Sequence, residues 1–239
     1  MSTLQGKEKS QYVQDMFGRI AARYNLMNRL MTLGQDQRWR RFVIQKAQLP
    51  AGGKMLDLAT GTGDIAFEAL KATPDAQVMG ADFSLPMMVV GQQQKMGDEV
   101  GWLGADALQL PFPENTFDAV TSGYLVRNVI DIPQTLREQL RTLKPGGRIV
   151  ILDSSPPPQN LLRPFILFHL KTIIPTMGRI ISGKQGADAY RYLPESTQSF
   201  KTPEELATLM NQAGIQNVQF KRFMFGTMAV HWGNKPKNS

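Results

Sequence analysis

The 239-residue chain contains no cysteine, which excludes a disulfide framework and any thiolate-ligated metal. Its two histidines, His169 and His231, stand too far apart to make a metal-spaced pair, and no metal site is expected. A run of about 20 apolar residues, the length that crosses a bilayer, does not occur. Residues Met1 to Gln11 are polar and of mixed charge, without the apolar centre of a secretory signal. Internal repeats are absent, and the triple proline Pro156-Pro157-Pro158 is the one low-complexity tract. The length suits one large α/β domain that buries its core without cross-links, and the expected location is the cytoplasm.

The formal net charge is +7, and it is unevenly spread. The stretch from Lys54 to Asp153 carries 8 Lys/Arg against 13 Asp/Glu, a net of −5, which leaves +12 on the flanks. An acidic centre argues against a nucleic-acid groove across the sheet. The basic flanks suit an anionic membrane surface, or a solvated face that meets nothing in particular.

The acidic centre is organised around Met55-Leu56-Asp57-Leu58-Ala59-Thr60-Gly61-Thr62-Gly63-Asp64. An apolar run with an acid near its end reads as a buried strand, and Gly-Thr-Gly as a tight turn into a helix starting near Asp64. Glycine lets backbone approach a ligand closely, and the crevice beyond a strand's carboxyl end is where open α/β sheets bind ligands.

Before this stretch, apolar residues from Val13 to Met31 recur at helical spacing, with Gly18 and Gly34 as breaks, and a second helix spans about Gln35 to Ala47. After it, strands are expected at Ala76 to Asp82, Val100 to Gly104, Thr116 to Gly123 and Arg148 to Asp153. Helices are expected from Ser84 to about Lys95 and from Asp131 to Leu143. Alternation of this kind selects a parallel sheet covered on both faces. Leu161 to Ile174 is strongly apolar and is expected to end at Pro175; Thr202-Pro203-Glu204-Glu205 is a capping-box helix start. Gln216 to Phe223 and Gly226 to Trp232 read as an antiparallel pair closing the sheet edge. Residues 1-50 are expected to form a helical cap on the side where a ligand would enter, 51-239 the main domain, and 156-200 an insert expected to cover that ligand or face a membrane.

Gly61-x-Gly63-x-x-Ala66 satisfies the dinucleotide fingerprint in relaxed form, with Asp82 near the distance of a ribose-binding acid. Taken alone it does not separate a nicotinamide cofactor from S-adenosylmethionine. Charge does: Asp57 would sit where a dinucleotide presents pyrophosphate but where S-adenosylmethionine presents its cationic amino-acid portion. Asp82 suits ribose hydroxyls, and Asp106, after the third strand, suits an adenine amino group.

These residues carry a resemblance. Asp57-Leu-Ala-Thr-Gly-Thr-Gly63, Asp82, Asp106-Ala-Leu-Gln-Leu-Pro-Phe-Pro113 and Leu143-Lys-Pro-Gly-Gly-Arg148 resemble the motifs of class I S-adenosylmethionine-dependent methyltransferases. More narrowly, Tyr24-Asn25-Leu26-Met27-Asn28 through Trp39, Val126-Arg127-Asn128-Val129, Arg141 to Ser155 and Tyr190 to Ser196 resemble the quinone-biosynthesis C-methyltransferases acting on demethylmenaquinone and the ubiquinone precursor. Asn25, Asp36, Gly123 and Asp153 stand where that family usually carries other residues, differences that bear on substrate selection more than on reaction class.

The resemblance implies a Rossmann-like seven-stranded sheet, mostly parallel with an antiparallel edge, and S-adenosylmethionine as cofactor. It implies Asp57, Gly61, Thr62, Gly63, Asp82, Phe83, Met87, Asp106, Ala107 and Gly123 as cofactor contacts, and Tyr24, Asn28, Tyr124, Tyr190 and Tyr192 around a quinol. The expected partners are that lipophilic quinol, an anionic membrane surface and a second copy of the chain, and no nucleic acid. Methylating a ring carbon requires an in-line nucleophile, exclusion of water, stabilisation of a phenolate and removal of the ring proton. Arg127 is the expected phenolate partner, with Asn128 beside it. As a guanidinium it is a poor base and acts electrostatically or through a water relay.

Overall fold

The computed structural model describes residues 6–237, and within these only the backbone of 182–188 and 191. Lys184 and Arg191 therefore lie outside the described side chains. Helix α1 (Gly6–Ile20) passes through a 3-10 turn at Ala21–Arg23 into α2 (Tyr24–Met31), and α3 (Asp36–Ala47) follows. Gly18 does not break α1: a Cβ there would touch the Pro86 ring at 3.5 Å, so the residue marks a close helix contact. Gly34, at φ +75°, turns the chain out of α2.

The sheet is built from β1 (Lys54–Leu58), β2 (Gln77–Asp82), β3 (Val100–Gly104), β4 (Phe117–Gly123), β5 (Leu143–Ser154), β6 (Gln216–Phe223) and β7 (Met228–Asn234), in the order β3-β2-β1-β4-β5-β7-β6. The first five are parallel; β7 pairs antiparallel with both β5 and β6. This is the expected mostly parallel sheet with an antiparallel edge. Helices α4 (Asp64–Ala72), α5 (Leu85–Gln92), α6 (Ile132–Thr142) and α9 (Pro203–Gln212) complete the layers. Reversal of strand order between β1 and β4 opens a crevice at their carboxyl ends, which is where such sheets hold ligands.

Alternation along the strands divides the core. Met55, Val78, Ala119, Val150 and Leu152 pack with Trp39, Val43 and Phe67 on one face. Leu56, Leu58, Val120, Ile149 and Ile151 pack with Leu136, Leu206 and Met210 on the other. A third cluster joins Val13, Met16, Phe17 and Met27 of the amino-terminal helices to Met87, Ile174, Tyr190 and Tyr192. The cap is thereby anchored both to the sheet layer and to the late helix.

Three boundaries differ from the sequence expectation. Helix α5 stops at Gln92, and Ser84 caps it by position only: Asp82 Oδ1 accepts from the Ser84 amide at 2.8 Å, while Ser84 Oγ has no partner among the described residues. The turn expected at Lys144 to Gly147 is absorbed as a bulge between the Phe117–Leu143 and Ala119–Arg148 pairs. Pro175 does not end the apolar segment. Helix α7 (Arg163–Phe168) continues through a π turn (His169–Ile173) into α8 (Ile174–Gln198). A proline ring crowds the carbonyl one turn back and offers no amide, and the wider π turn accommodates both defects without breaking the helix. Downstream, Thr202 and Glu205 form the expected capping box.

Candidate active site

The glycine loop is shaped by left-handed backbone at Ala59, Gly61 and Gly63, with φ of 57°, 56° and 83°. Alternating left-handed residues curl the chain over the end of β1, and the acids fix that curl. Asp57 Oδ2 accepts from Thr60 Oγ1 at 2.7 Å and Oδ1 from Thr121 Oγ1 at 2.9 Å, holding the loop to β4. Burial pushes the Asp57 carboxyl up to about 7, against the pull of those hydroxyl donors. Asp82 Oδ2 accepts from the Gly61 amide at 2.7 Å; burial raises it to about 6, while the Ser84 and Gly61 amides hold it down.

Beside this loop lies a cavity of about 300 Å³. Gly61, Asp82, Phe83, Met87, Asp106, Ala107 and Gly123 line it, together with Ser84 and Leu108. Among the described lining residues Lys7 is the one cation, set against Asp82 and Asp106. A phosphate would need free loop amides, yet the Gly61 N–H is already held by Asp82 and the Gly63 N–H by the Thr60 carbonyl at 2.8 Å. The cavity thus suits a cationic adenosyl ligand and disfavours a dinucleotide. Ser84 Oγ, buried and unpartnered on its wall, leaves a hydrogen bond for such a ligand.

Three residues expected to touch the cofactor do not line this cavity. Asp57 is turned to the loop as described. Thr62 Oγ1 donates to Asn25 Oδ1 at 2.8 Å and lies 3.0 Å from Asp64 Oδ2, tying α2 to the loop. Gly63 faces Trp102 and Phe67, which a Cβ would strike at 2.7 and 2.9 Å.

A second cavity, of about 450 Å³, shares Tyr24 and Tyr124 with the first. Asn28, Trp39, Arg127 and Ser154 line it with Phe165, His169, Leu170 and Phe225, a largely apolar wall open at Leu33 and Leu162. Tyr124, at φ +59°, is a bulky residue held in the left-handed region, a strain that persists where the surroundings over-determine a side chain's place. Burial raises the phenols of both Tyr24 and Tyr124, with Arg127 and Arg40 pulling the other way.

Arg127 is buried. Its Nη1 donates to Asp153 Oδ1 at 2.9 Å and to Ser154 Oγ at 3.0 Å, and its guanidinium carbon stands 5.0 Å from the Tyr124 ring centre. Burial raises the Asp153 carboxyl, opposed by Arg127 and two backbone amides. Arg127 Nε is buried without a partner among the described residues.

Asn128, one residue on, faces the other way. It lines the smaller cavity, donates to the Tyr124 carbonyl at 2.7 Å and accepts from Tyr192 Oη at 3.0 Å. Tyr192 belongs to a separate cleft with Lys9 and Lys201, and Tyr190 lies in the helical core against Gly178; neither lines the large cavity. Sequence spacing could not separate them, because helix α8 turns them toward different neighbours.

Sequence reasoning also missed the role of α1, whose Lys7, Ser10, Val13 and Phe17 line the smaller cavity while Gln14 Nε2 donates to the Phe83 carbonyl at 2.6 Å. Arg40 pairs with Asp36 and Asp64, each at 3.1 Å, joining α3 to the helix that leaves the glycine loop.

Sheet order and acid-lined cavity together define a class I S-adenosylmethionine-dependent methyltransferase. Solved structures agree on the fold. The chain superposes on the [4+2]-cyclase SpnF with TM-score 0.69 at 16% identity, covering 95% of this chain and 96% of that one. It matches Haemonchus contortus phosphoethanolamine N-methyltransferase 2, solved with S-adenosyl-L-methionine, with TM-score 0.60 at 16% identity, over 80% of this chain and 50% of that one.

Sequence relatives are nearer. A "Ubiquinone/menaquinone biosynthesis C-methyltransferase UbiE" of Desulfotalea psychrophila is 50% identical over 93% of this chain and 90% of its own length. A "Demethylmenaquinone methyltransferase" of Thermus thermophilus is 44% identical over 92% of this chain and its full length. The model of the ubiE/COQ5 methyltransferase family matches residues 5–235, and the chain belongs to that family.

Proposed function

We propose that the protein transfers a methyl group from S-adenosylmethionine to a ring carbon of a reduced prenylated quinone, demethylmenaquinol being the acceptor in the first instance. The observation that carries this reading is the shared wall: a large apolar cavity and an acid-lined adenosyl cavity meet at Tyr24 and Tyr124. Close approach of two reactants in a site closed to water is what methyl transfer needs. S-adenosylmethionine, when bound, supplies an electrophilic methyl on a positively charged sulfur.

In this reading Asp82, Asp106 and Ser84 take the adenosyl hydroxyls and amine, with Phe83, Met87 and Ala107 against the adenine and ribose, and Gly61 and Gly123 leaving room beside them. Asp57, Thr62 and Gly63 hold the loop in shape. Tyr24, Asn28 and Tyr124 position the quinol ring. Arg127 donates toward the ring oxygen; because Asp153 neutralises its charge, its contribution is a directed N–H, such as the vacant Nε, more than a bare field. Asn128 and Tyr192 brace the Tyr124 carbonyl from behind.

Residues 156-200 receive the prenyl tail. Leu162, Phe165, Ile166 and Leu170 line the cavity, and exposed Leu33, Phe165 and Phe225 surround its mouth. With Lys171 and Arg179 exposed on the same helical run, this rim supports contact with an anionic bilayer from which the quinol enters. Among the described residues no helix is long and apolar enough to cross a membrane.

The test is mass spectrometry of quinones after incubation with S-adenosylmethionine and reduced demethylmenaquinone, a demethylated benzoquinol or RNA. A mass gain of one methyl on the naphthoquinol is expected, and methylation of RNA alone overturns the reading. Sedimentation with phosphatidylglycerol vesicles should fall for Phe165→Glu and Phe225→Glu. If those substitutions instead change only the sedimentation coefficient of the free protein, the rim is a contact between two copies.

A further inference from the structure

Carbon methylation leaves a proton to be removed, and the wall of the large cavity limits what can take it. Of its described polar side chains, Arg127 already carries its proton and is tied to Asp153. Tyr24 and Tyr124 are phenols that burial keeps protonated. Asn28, Thr32, Ser154, Thr197 and Thr227 bear amides or hydroxyls, which are not bases in water's pH range. Asp153 is not on the wall, and its oxygens accept from Arg127 Nη1, the Arg127 amide and the Ser154 amide. His169 remains.

His169 opens the π turn, lines the large cavity, and has its Nε2 buried with no hydrogen-bond partner among the described residues. An imidazole nitrogen buried without a partner is costly unless a ligand completes it. A π turn is also a recurrent device for presenting a side chain at a functional site.

We propose that His169 is the general base that accepts the ring proton, a proposal resting on the quinol-methylation reading above. The phenolate's ring electron pair forms the new carbon–carbon bond as the carbon–sulfur bond breaks, its pair remaining on sulfur. The reacting carbon then bears both the methyl and its original hydrogen beside a ring ketone. The Nε2 lone pair takes that hydrogen as a proton, the C–H pair returns to the ring, and the ketone reverts to phenolate; imidazolium releases its proton to water. Arg127 and His169 thereby divide the work, one holding the oxygen and the other clearing the carbon.

The experiment compares wild type with His169→Phe and His169→Gln, using naphthoquinol carrying hydrogen or deuterium at the reacting carbon. S-adenosylhomocysteine thermal shift serves as the readout of an intact fold and cofactor cavity. Loss of the base should lower kcat by about 10²-fold or more, leave the thermal shift in place, raise the deuterium isotope effect above that of wild type, and be partly rescued by added imidazole. His169→Gln, which keeps a polar side chain on the helix, carries the comparison if His169→Phe fails to fold. Adding 2-methylnaphthoquinol and S-adenosylhomocysteine to ¹⁵N-histidine-labelled protein should shift the His169 Nε2 resonance. Wild-type kcat and isotope effect in His169→Gln, or an unmoved resonance in protein that turns over the quinol, overturns the proposal. A wild-type protein that methylates no quinol removes the reading beneath it as well.

Discussion

Arg127 and Asp153 form an ion pair of 2.9 Å with side chains only 5% and 2% exposed. It links the loop after β4 to the end of β5, so the guanidinium that lines the large cavity is oriented by a carboxylate from the neighbouring strand. Such a pair adds little net stability when intact, but removing one partner leaves the other buried and uncompensated.

Asp153→Asn should therefore cost about 3–5 kcal/mol, read as a lowered denaturant midpoint. A double substitution Arg127→Met with Asp153→Asn should recover much of that loss while remaining inactive. Additive losses in the cycle would show that the two side chains do not depend on each other.

Asp57 and Asp82 hold protons more tightly folded than unfolded, at about 7 and about 6 against the ordinary aspartate value of 3.8. The stability they contribute is fully present below the unfolded value and is lost as pH rises through the folded ones. For Asp57 it is on the order of 4 kcal/mol. The free protein should accordingly melt at a lower temperature at pH 8 than at pH 5.5, unlike an unperturbed carboxylate protein. Affinity for S-adenosylhomocysteine should weaken below pH 6, where Asp82 takes up its proton, and Asp82→Asn should abolish that pH step. Calorimetric titration across this range measures both.

Tyr124 in the left-handed region offers a separation of backbone strain from wall chemistry. Tyr124→Ala keeps the strain and Tyr124→Gly relieves it, so the glycine variant should be the more stable by about 1 kcal/mol. Both lose the shared wall and should show equally reduced kcat. A rate that tracks stability instead would mean that the ring is only packing.

Asn25 and Thr62 connect the cap to the glycine loop across 37 residues. Asn25→Ala should weaken S-adenosylhomocysteine binding by about 1 kcal/mol, roughly fivefold, with slower exclusion of solvent from the site visible as faster hydrogen exchange in α1 and α2. Unchanged exchange would confine the effect to the loop.

Much of this arrangement was legible in the chain. The capping box at Thr202 is local chemistry, complete within four residues. The apolar runs at Met55 to Leu58 and Arg148 to Asp153 read as buried strands, and the alternation of strands with helices placed helices on both faces of the sheet. Asp82 and Asp106 line the smaller cavity because both stand at strand ends. Asp57 did not, since two threonine hydroxyls from different elements claim its oxygens first.

The sequence by itself determined the doubly covered sheet, the glycine turn and the acids around it, all set by periodicity and by residues within a few positions of one another. Tertiary structure alone decided that Arg127 and Asn128 face different cavities, that Tyr24 and Tyr124 meet between them while Tyr190 is packed away, and that His169 stands on the wall of the large cavity. Those outcomes depend on how α1, α2 and α8 seat on one another and on the sheet. Contacts between residues more than a hundred positions apart have no period for a sequence to display.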